Sequence, residues 1–200
     1  SQTIIGLRRL RLRPNGRAIR PMKLTVVMPV YNERATLLEI LERVRAVDID
    51  KEIIIVDNCS TDGTREIVEA IDLPEVRTIL QDRNRCKGNS VKKGIAAARG
   101  DYTIIQDADL EYDPQDYPTL LAEAERPEVL AVLGSRTLGA ARRDETLPSS
   151  SFSIGRDLLT AYFNLLFDTR LTDIATCYKL APTAFLQGLP LVSDGFDLDF

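Results

Sequence analysis

The chain has 200 residues, of which 44% are hydrophobic and 28% are charged, a balance that suits one globular domain with a sizeable buried core. The formal net charge of -4 is unevenly placed, because residues 1–21 carry six arginines and no acidic residue, whereas the rest carries 20 basic and 30 acidic residues. A body this acidic lacks the basic face that general nucleic-acid binding requires, so we expect no nucleic-acid partner.

Residues 1–21 are expected to form a leader or arm that precedes a single domain at residues 22–200. Met22 begins a Met-Lys-Leu-Thr-Val-Val segment that has the form of a natural start followed directly by a strand, whereas the preceding residues show no clear period. Two interpretations stay open, a basic arm that contacts membrane phosphates and an added or mis-started leader. We favour the leader. The segment lacks the continuous apolar core of a signal peptide.

Histidine is absent and the three cysteines are far apart, which restricts the chemistry open to the chain. Cys59, Cys86 and Cys177 include no Cys-x-x-Cys pair, so we expect no zinc site of the usual ligands. Without histidine the chain lacks the commonest general base and every Ser-His or Cys-His nucleophile pair, so carboxylates, cations and a metal must carry any reaction. Unpaired cysteines are typical of a reducing cytosol, and no apolar stretch reaches the ~20 residues of a membrane span. We therefore expect a cytoplasmic protein.

Continuously apolar, β-branched runs alternate along the chain with segments of helical periodicity. We predict strands at residues 24–29, 52–56, 76–80, 102–106 and 129–134, and helices at residues 33–47, from a Ser60 or Thr61 cap through residue 70, and at residues 87–99. Residues 138–153 are predicted to form a long loop, followed by an apolar segment at residues 154–167. This alternation predicts an α/β fold in which helices cover both faces of a parallel or mostly parallel sheet.

Polar segments follow three of the predicted strands, at the point where each strand ends. They are Val-Tyr-Asn-Glu at residues 30–33, Asp-Asn-Cys-Ser at residues 57–60, and Asp-Ala-Asp at residues 107–109. Ligands of open α/β sheets bind beyond the carboxyl ends of the strands, so the three segments are expected to form one site. Asp57 is expected to be available to a ligand, because Asp62 is better placed in the first turn of the next helix.

Asp107 and Asp109 flank one small residue and are the strongest candidates for a metal site. Residues two apart in an extended segment point the same way, about 7 Å apart. Mg²⁺ and Mn²⁺ prefer oxygen ligands, and Glu111 is a candidate third ligand. A solvated acidic turn is the alternative, and the position of the pair after a buried strand and beside two matching loops argues against it.

Several motifs together resemble family 2 glycosyltransferases, and most of all the dolichyl- or polyprenyl-phosphate mannosyl- and glucosyltransferases. The motifs lie at residues 26–33, 56–64, 87–88, 100–102, 106–114, 134–136, 171–173 and 177–179. The resemblance implies the GT-A fold, an α/β nucleotide-binding sandwich. It also implies an inverting, Mg²⁺- or Mn²⁺-dependent transfer of a hexose from GDP-mannose or a UDP-hexose to a polyprenyl or dolichyl phosphate, with the protein peripheral on the cytoplasmic membrane face.

The resemblance also implies roles for individual residues. Nucleotide-binding roles fall on Pro29, Tyr31, Glu33, Ile55, Asp57, Lys87, Asp107, Ala108 and Arg136. Metal-binding roles fall on Asp107, Asp109 and Glu111, and catalytic roles fall on Asp107, Asp109, Arg136 and Asp173. A phosphate acceptor is already ionised and requires no strong base, whereas for a hydroxyl acceptor Asp173 is the leading candidate base.

Two departures from the family pattern keep alternatives open. Ala175 stands where many relatives carry an acid, and Phe200 ends the chain inside a Phe-Asp-x-Asp-Phe segment, so the domain is expected to be truncated. The alternatives are a non-catalytic nucleotide-sugar-binding domain of the same fold and transfer to a hydroxyl acceptor. A doubly wound phospho-acceptor domain ranks last, because residues 29–33 offer no acidic pair.

The acceptor side has its own candidates in the sequence. Arg142 and Arg143, in the predicted long loop, are candidates to meet a lipid phosphate. Residues 154–167 are expected either to lie against a membrane surface or to form an ordinary core helix.

Overall fold

The computed structural model describes residues 5–8, 23–136, 138 and 151–195. Its strands are β1 (Ile5–Arg8), β2 (Leu24–Val30), β3 (Lys51–Asp57), β4 (Val76–Leu80), β5 (Tyr102–Ile105), β6 (Val129–Leu133) and β7 (Lys179–Pro182). Its helices are α1 (Leu37–Arg45), α2 (Thr64–Ala70), α3 (Cys86–Ala97), α4 (Tyr117–Ala124), α5 (Ser151–Phe167) and α6 (Thr183–Gly188), with a 3₁₀ turn at Pro114–Asp116. All five predicted strands and all three predicted helices are present within a few residues of their expected bounds.

The described strands form one sheet in the order β1-β6-β7-β5-β2-β3-β4. Strand β2 pairs in parallel with β3 and β5, and β3 pairs in parallel with β4. Strand β7 pairs antiparallel with β5 and β6, and β1 pairs antiparallel with β6. Five of the seven strands therefore point the same way. The predicted α/β fold with a mostly parallel sheet is confirmed.

The core lies against the parallel half of the sheet, because β2 and β3 are apolar on both faces. Every residue of β2 is buried, and so is every residue of β3 after Lys51. Helix α3 packs directly on β2, and Gly94 makes this approach possible, since a Cβ atom at that position would collide with the side chain of Val27. This close packing fixes the amino-terminal end of α3 beside the carboxyl end of β2.

Helices α1 and α2 begin later than the sequence pattern predicts. Asn32 has a φ of 58°, which belongs to the left-handed region, so residues 31–36 form turns before α1 starts at Leu37. Helix α2 follows Gly63, whose φ is 98°, and the Asp62 carboxylate accepts the backbone N–H of Thr64 at 3.0 Å. The predicted cap at Ser60 or Thr61 is therefore wrong, because the helix begins three to four residues further along.

Strand β1 lies within residues 1–21, and the division into a leader and a domain at residue 22 stays a prediction. Ile5–Arg8 pairs antiparallel with β6, with a register shift between Leu7 and Arg8. A strand of four residues beside a run of arginines carries too little alternation to be predicted from the sequence.

Helix α5 spans the predicted apolar segment, and its apolar side chains face solvent. Leu158 is 67% exposed and Leu165 is 81% exposed, and Ile154, Tyr162, Leu166 and Phe167 are exposed as well. The alternative of an ordinary core helix is therefore wrong. The last three residues of the predicted long loop, 151–153, belong to α5, and Arg142 and Arg143 lie outside the described residues. Among the described helices, none has the combination of length and apolar character that crossing a bilayer requires.

Candidate functional site

A cavity of about 400 Å³ lies at the carboxyl ends of β2, β3 and β5 and at the amino-terminal end of α3. The strand register explains its position, since Val30 pairs with Asp57 and Val27 pairs with Ile105, so the loops after these strands leave the sheet at the same edge. Six of the residues with predicted nucleotide-binding roles line this cavity: Pro29, Tyr31, Glu33, Lys87, Asp107 and Ala108. Their contact with a nucleotide stays a prediction.

Three lining residues, Asn84, Cys86 and Ser90, were not predicted, whereas Val30 and Asn58 lie in the polar segments predicted to form the site and had no individual role. Asn58 and Asn84 form a wall of the cavity, and the Asn58 amide donates to the Asn84 side chain at 3.0 Å. The Asn58 side-chain oxygen also accepts the backbone N–H of Arg85 at 2.8 Å, which ties the end of β3 to the start of α3. Asn58 directly follows a predicted strand, so its position was a usable signal. Asn84 gave none.

The loops after β2 and β3 are joined to each other by side-chain hydrogen bonds. The backbone N–H of Asn32 donates to the Ser60 hydroxyl at 3.0 Å, and the Asn32 side-chain oxygen accepts the backbone N–H of Thr61 at 2.8 Å. Cys59 and Cys86 have φ angles of 64° and 66°, a conformation that is uncommon for residues other than glycine. Such backbone strain persists where the surrounding contacts hold it, often at functional sites.

Ile55 and Asp57 do not line the cavity, contrary to expectation. Ile55 has no exposed surface and packs in the core. Asp57 is also fully buried, and its carboxylate accepts the backbone N–H groups of Cys59 and Ser60 at 3.2 Å each. The Arg65 guanidinium lies 3.1 Å from the same carboxylate. Local hydrogen bonds and an ion pair hold the Asp57 carboxylate in this structure, and its contact with a ligand stays a prediction.

Lys87 and Asp107 form an ion pair in the cavity. The Lys87 Nζ atom lies 2.9 Å from Asp107 Oδ2, and both side chains are largely buried. Lys87 belongs to the first turn of α3, where the unpaired N–H groups of a helix also favour negative charge. The Lys87 ammonium and these N–H groups therefore lie beside the Asp107 carboxylate.

Asp107, Asp109 and Glu111 do not converge on one point, contrary to the predicted three-carboxylate metal site. Among the described residues no group of three carboxylate, cysteine or histidine side chains is placed to hold a metal ion. Asp107 pairs with Lys87, and Asp109 Oδ1 accepts the backbone N–H of Glu111 at 3.1 Å. The Glu111 carboxylate is exposed and lies 3.9 Å from Arg136 Nη1.

The carboxylates nevertheless fit a hard cation that takes some of its coordinating oxygens from a bound substrate. Mg²⁺ commonly binds one or two protein carboxylates and completes its coordination with phosphate oxygens and water. Asp107 and Asp109 supply oxygens of this kind, two residues apart. Partial burial raises the pKa of Glu111, and the nearby charges of Asp109 and Asp107 raise it further, against the effect of Arg136. The negative charge gathered here favours a divalent cation.

Arg136 and Asp173 form an ion pair with each other, and neither residue lines the cavity. Asp173 is 1% exposed, and its two oxygens lie 2.8 Å from Arg136 Nε and 3.1 Å from Arg136 Nη2. The Nη2 group also donates to the carbonyl of Ala175 at 2.9 Å, and hydrogen bonding to Asp173 raises the pKa of the guanidinium. The ion pair with Arg136 engages both carboxylate oxygens of Asp173, and the role of this residue as a base for a hydroxyl acceptor stays a prediction.

The amino-acid sequence of the chain is similar to one family model and to several curated proteins. The family model described as Glycosyl transferase family 2 matches residues 25–181. The undecaprenyl-phosphate 4-deoxy-4-formamido-L-arabinose transferase of Pseudomonas fluorescens (strain Pf0-1) is 37% identical over 129 residues, which cover 60% of this chain and 38% of the relative. The succinoglycan biosynthesis protein ExoO of Rhizobium meliloti (strain 1021) is 35% identical over 102 residues, which cover 50% of this chain and 29% of the relative.

Solved structures share the architecture at low sequence identity. Glucosyl-3-phosphoglycerate synthase from Mycobacterium tuberculosis, crystallised with Mn²⁺, uridine diphosphate and phosphoglyceric acid, superposes with a TM-score of 0.64 at 21% identity. The match covers 89% of this chain and 61% of that one. TarS 1-349 from S. aureus has a TM-score of 0.54 at 21% identity and covers 83% of this chain and 48% of that one. At this identity both likenesses establish the fold alone.

The chain spans between 29% and 43% of the length of the curated relatives that it matches. The family model covers most of the chain, including strands β2 to β6 and the cavity. On these grounds the chain belongs to glycosyl transferase family 2 and has the GT-A fold.

Proposed function

We propose that the chain is the donor-binding catalytic domain of an inverting, metal-dependent hexosyltransferase that uses a polyprenyl phosphate as acceptor. The observation that carries this proposal is the Lys87–Asp107 ion pair, which lies in a 400 Å³ cavity at the carboxyl ends of the parallel strands. Support for the acceptor comes from relatives at 33% to 38% identity that are named undecaprenyl-phosphate transferases.

The proposed donor is GDP-mannose or a UDP-hexose. Pro29 and the half-exposed Tyr31 offer an apolar wall against which a nucleoside can pack. The Lys87 ammonium and the first turn of α3 offer positive charge and N–H groups to the diphosphate. When the donor binds, Lys87 exchanges part of its contact with Asp107 for a contact with phosphate oxygens.

Asp107 and Asp109 are proposed to hold Mg²⁺ or Mn²⁺ together with the diphosphate. When bound, the metal supplies positive charge where negative charge develops on the departing nucleotide. Lys87 stabilises the same developing charge from the protein side. Asp107 keeps the Lys87 ammonium in the cavity before the donor arrives, at the 2.9 Å separation of their charged atoms.

The acceptor side is proposed to need no base. A lipid phosphate arrives ionised, which agrees with a chain that contains no histidine and with an Asp173 carboxylate committed to Arg136. Arg136 Nη1 is the guanidinium group through which a phosphate contact is proposed. The exposed apolar side of α5 supports an acceptor with a lipid tail, and with it a peripheral position on the cytoplasmic membrane face.

Titration calorimetry with GDP and with UDP, each with and without Mn²⁺, tests the donor proposal. We expect one nucleotide to bind, with an affinity that Mn²⁺ raises and that Asp107→Asn or Asp109→Asn reduces to the metal-free level. Asp113→Asn is the matched control, because this exposed aspartate caps the 3₁₀ turn and asparagine retains that capacity. Binding of neither nucleotide to the wild-type chain contradicts the proposal.

A non-catalytic nucleotide-sugar-binding domain is the second candidate. Ala175 favours it, since only the carbonyl of this residue takes part in the Arg136 arrangement. This candidate predicts nucleotide binding without release of nucleotide from the sugar donor when undecaprenyl phosphate or a hydroxyl acceptor is added. Acceptor-dependent nucleotide release, measured by a coupled assay, rules it out.

A further inference from the structure

The loop that carries Asp107 and Asp109 rests on a buried polar cluster. The cluster consists of Gln106, Tyr112, Tyr117 and Tyr178, and we call it the tyrosine cluster. Gln106, Tyr117 and Tyr178 have no exposed surface, and Tyr112 is 2% exposed. These side chains come from the end of β5, from the loop itself, from the start of α4 and from the residue before β7.

Gln106 is the centre of the hydrogen bonds in the tyrosine cluster. Its side-chain oxygen accepts the hydroxyls of Tyr117 at 2.5 Å and Tyr178 at 2.8 Å. Its side-chain nitrogen donates to the backbone carbonyl of Asp107 at 3.0 Å. The reverse orientation of the amide would set two acceptor oxygens against each other at Asp107, so the Asp107 contact selects the orientation in which both tyrosine hydroxyls donate.

The two tyrosine hydroxyls are held in their protonated form, in which they donate to Gln106. Burial raises the pKa of Tyr117 and of Tyr178 well above the usual value for a phenol. Neither hydroxyl ionises, so the Gln106 oxygen keeps two donors and its nitrogen keeps facing Asp107.

Tyr178 also supports the far end of the loop. Its ring lies 4.7 Å from the ring of Tyr112, and the Tyr112 hydroxyl accepts the backbone N–H of Cys177 at 3.0 Å. Between these two supports the backbone turns at Leu110, which has a φ of 65°. A turn in the left-handed region needs such contacts on both sides to persist.

We propose that Gln106 is a positioning residue that sets the separation of the Asp107 and Asp109 carboxylates. By holding the Asp107 carbonyl it fixes the peptide plane between Asp107 and Ala108, and this plane determines where Asp109 lies. A buried amide next to the apolar Ile104 and Ile105 has to be fully hydrogen-bonded to be tolerated, and an apolar side chain would fill the space without that requirement. The inference rests on the proposed function, in which both carboxylates hold the metal.

Gln106→Glu is the first test, because an ionised glutamate still accepts from both tyrosines but cannot donate to the Asp107 carbonyl. We expect the Mn²⁺-dependent gain in GDP or UDP affinity, measured by calorimetry, to fall about tenfold, while the affinity without Mn²⁺ stays unchanged. A purely structural role would instead lower the melting temperature or both affinities, without changing their ratio.

A second variant removes the hydrogen bonds without leaving an unpaired polar side chain. Gln106→Met combined with Tyr117→Phe and Tyr178→Phe replaces Gln106 and both of its tyrosine partners with apolar groups of similar shape, so that only the Asp107 carbonyl loses a donor. We expect the same loss of the Mn²⁺-dependent gain. Tyr102→Phe is the control, because it removes a tyrosine hydroxyl that donates to the Ala124 carbonyl at 3.1 Å, away from the loop. If Gln106→Glu does not fold, the triple variant decides.

Amide hydrogen exchange gives a readout that needs no nucleotide. The Glu111 amide is bonded to Asp109 Oδ1 in the wild type, and we expect it to exchange faster in both variants and at the wild-type rate in Tyr102→Phe. Lack of nucleotide binding by the wild type overturns the proposed function, while exchange at Glu111 still decides whether Gln106 holds the loop. An unchanged exchange rate, or an unchanged Mn²⁺-dependent gain in a folded variant of a nucleotide-binding wild type, overturns the inference.

Discussion

The parallel and antiparallel halves of the sheet place their functional residues in different ways. Around the parallel half, β4-β3-β2-β5, the loops are joined by side-chain hydrogen bonds and enclose a cavity. Beside the antiparallel half, β7-β6-β1, Arg136 and Asp173 form an ion pair with each other, and α5 exposes its apolar side chains. The parallel half therefore has a cavity between interlinked loops, whereas the side chains described beside the antiparallel half include an apolar helix face exposed to solvent.

Breaking the ion pair of the antiparallel half is expected to have the largest effect on stability. Arg136→Ala leaves the Asp173 carboxylate buried and unpaired, so we expect the free energy of unfolding to fall by about 3 kcal/mol. Urea denaturation measures this loss. Arg136→Met combined with Asp173→Leu removes both charges and should recover most of the stability, and a double variant as unstable as the single one contradicts the explanation.

Removing the cation of the parallel half is expected to separate metal binding from nucleotide binding. Lys87→Met releases the Asp107 carboxylate, so Mn²⁺ should bind more tightly in the absence of nucleotide. The affinity for GDP or UDP should fall about tenfold, since a charged hydrogen bond to the diphosphate is lost. Calorimetric titrations of metal and of nucleotide measure the two changes. Lys93→Met, on the same helix and outside the cavity lining, is the control.

The opposite end of the parallel half gives a smaller, pH-dependent effect. Burial raises the pKa of Glu52, but hydrogen bonds from Thr25 and from the backbone N–H of Arg99, with the charge of Arg77, lower it overall. A lowered folded-state pKa stabilises the protein above the unfolded value, and this contribution of about 1 kcal/mol is lost as the pH falls through the folded value.

Urea midpoints between pH 3 and 6, compared with those of Glu52→Gln, measure this contribution. The wild type should be the more stable protein above the reference pKa of 4.5, and the difference should shrink below it. A difference that stays constant across this range would exclude the carboxylate charge as its cause.

The exposed side of α5 is expected to give the smallest change in stability. Leu165→Glu alters a side chain that is 81% exposed, so the free energy of unfolding should change by no more than about 0.5 kcal/mol. Co-sedimentation with phosphatidylglycerol vesicles should nevertheless fall, if α5 meets a membrane surface. Leu38→Glu, a change of an exposed leucine on α1, is the matched control and should leave sedimentation unchanged.

The sequence predicted the fold and the edge of the sheet at which the cavity lies, because both depend on local pattern. The apolar runs at β2 and β3 require burial on both faces, and the polar residues after them must then leave the sheet at one edge. The same reasoning brought Tyr31, Asp107 and Ala108 to the cavity, where the structure has them.

The hydrogen bonds and ion pairs of individual side chains could not be predicted in this way. Whether Asp57 is free depends on Arg65, and whether Asp173 is free depends on Arg136, 37 residues earlier in the chain. The role of Gln106 depends on two tyrosines, one of them 72 residues away. Such pairs form only when the tertiary structure assembles, so the pattern of apolar residues in the strands does not predict them.

The position of β7 in the sheet has a consequence for the order in which the protein folds. Lys179–Pro182 lies between β5 and β6, so the two halves of the sheet share no strand pair until the last described strand arrives. Domains fold from the amino-terminal end as synthesis proceeds, and non-local strand pairs form slowly. We therefore expect the strands around the cavity to assemble on the ribosome first, with the antiparallel half exposed to solvent and to chaperones until β7 joins it to them.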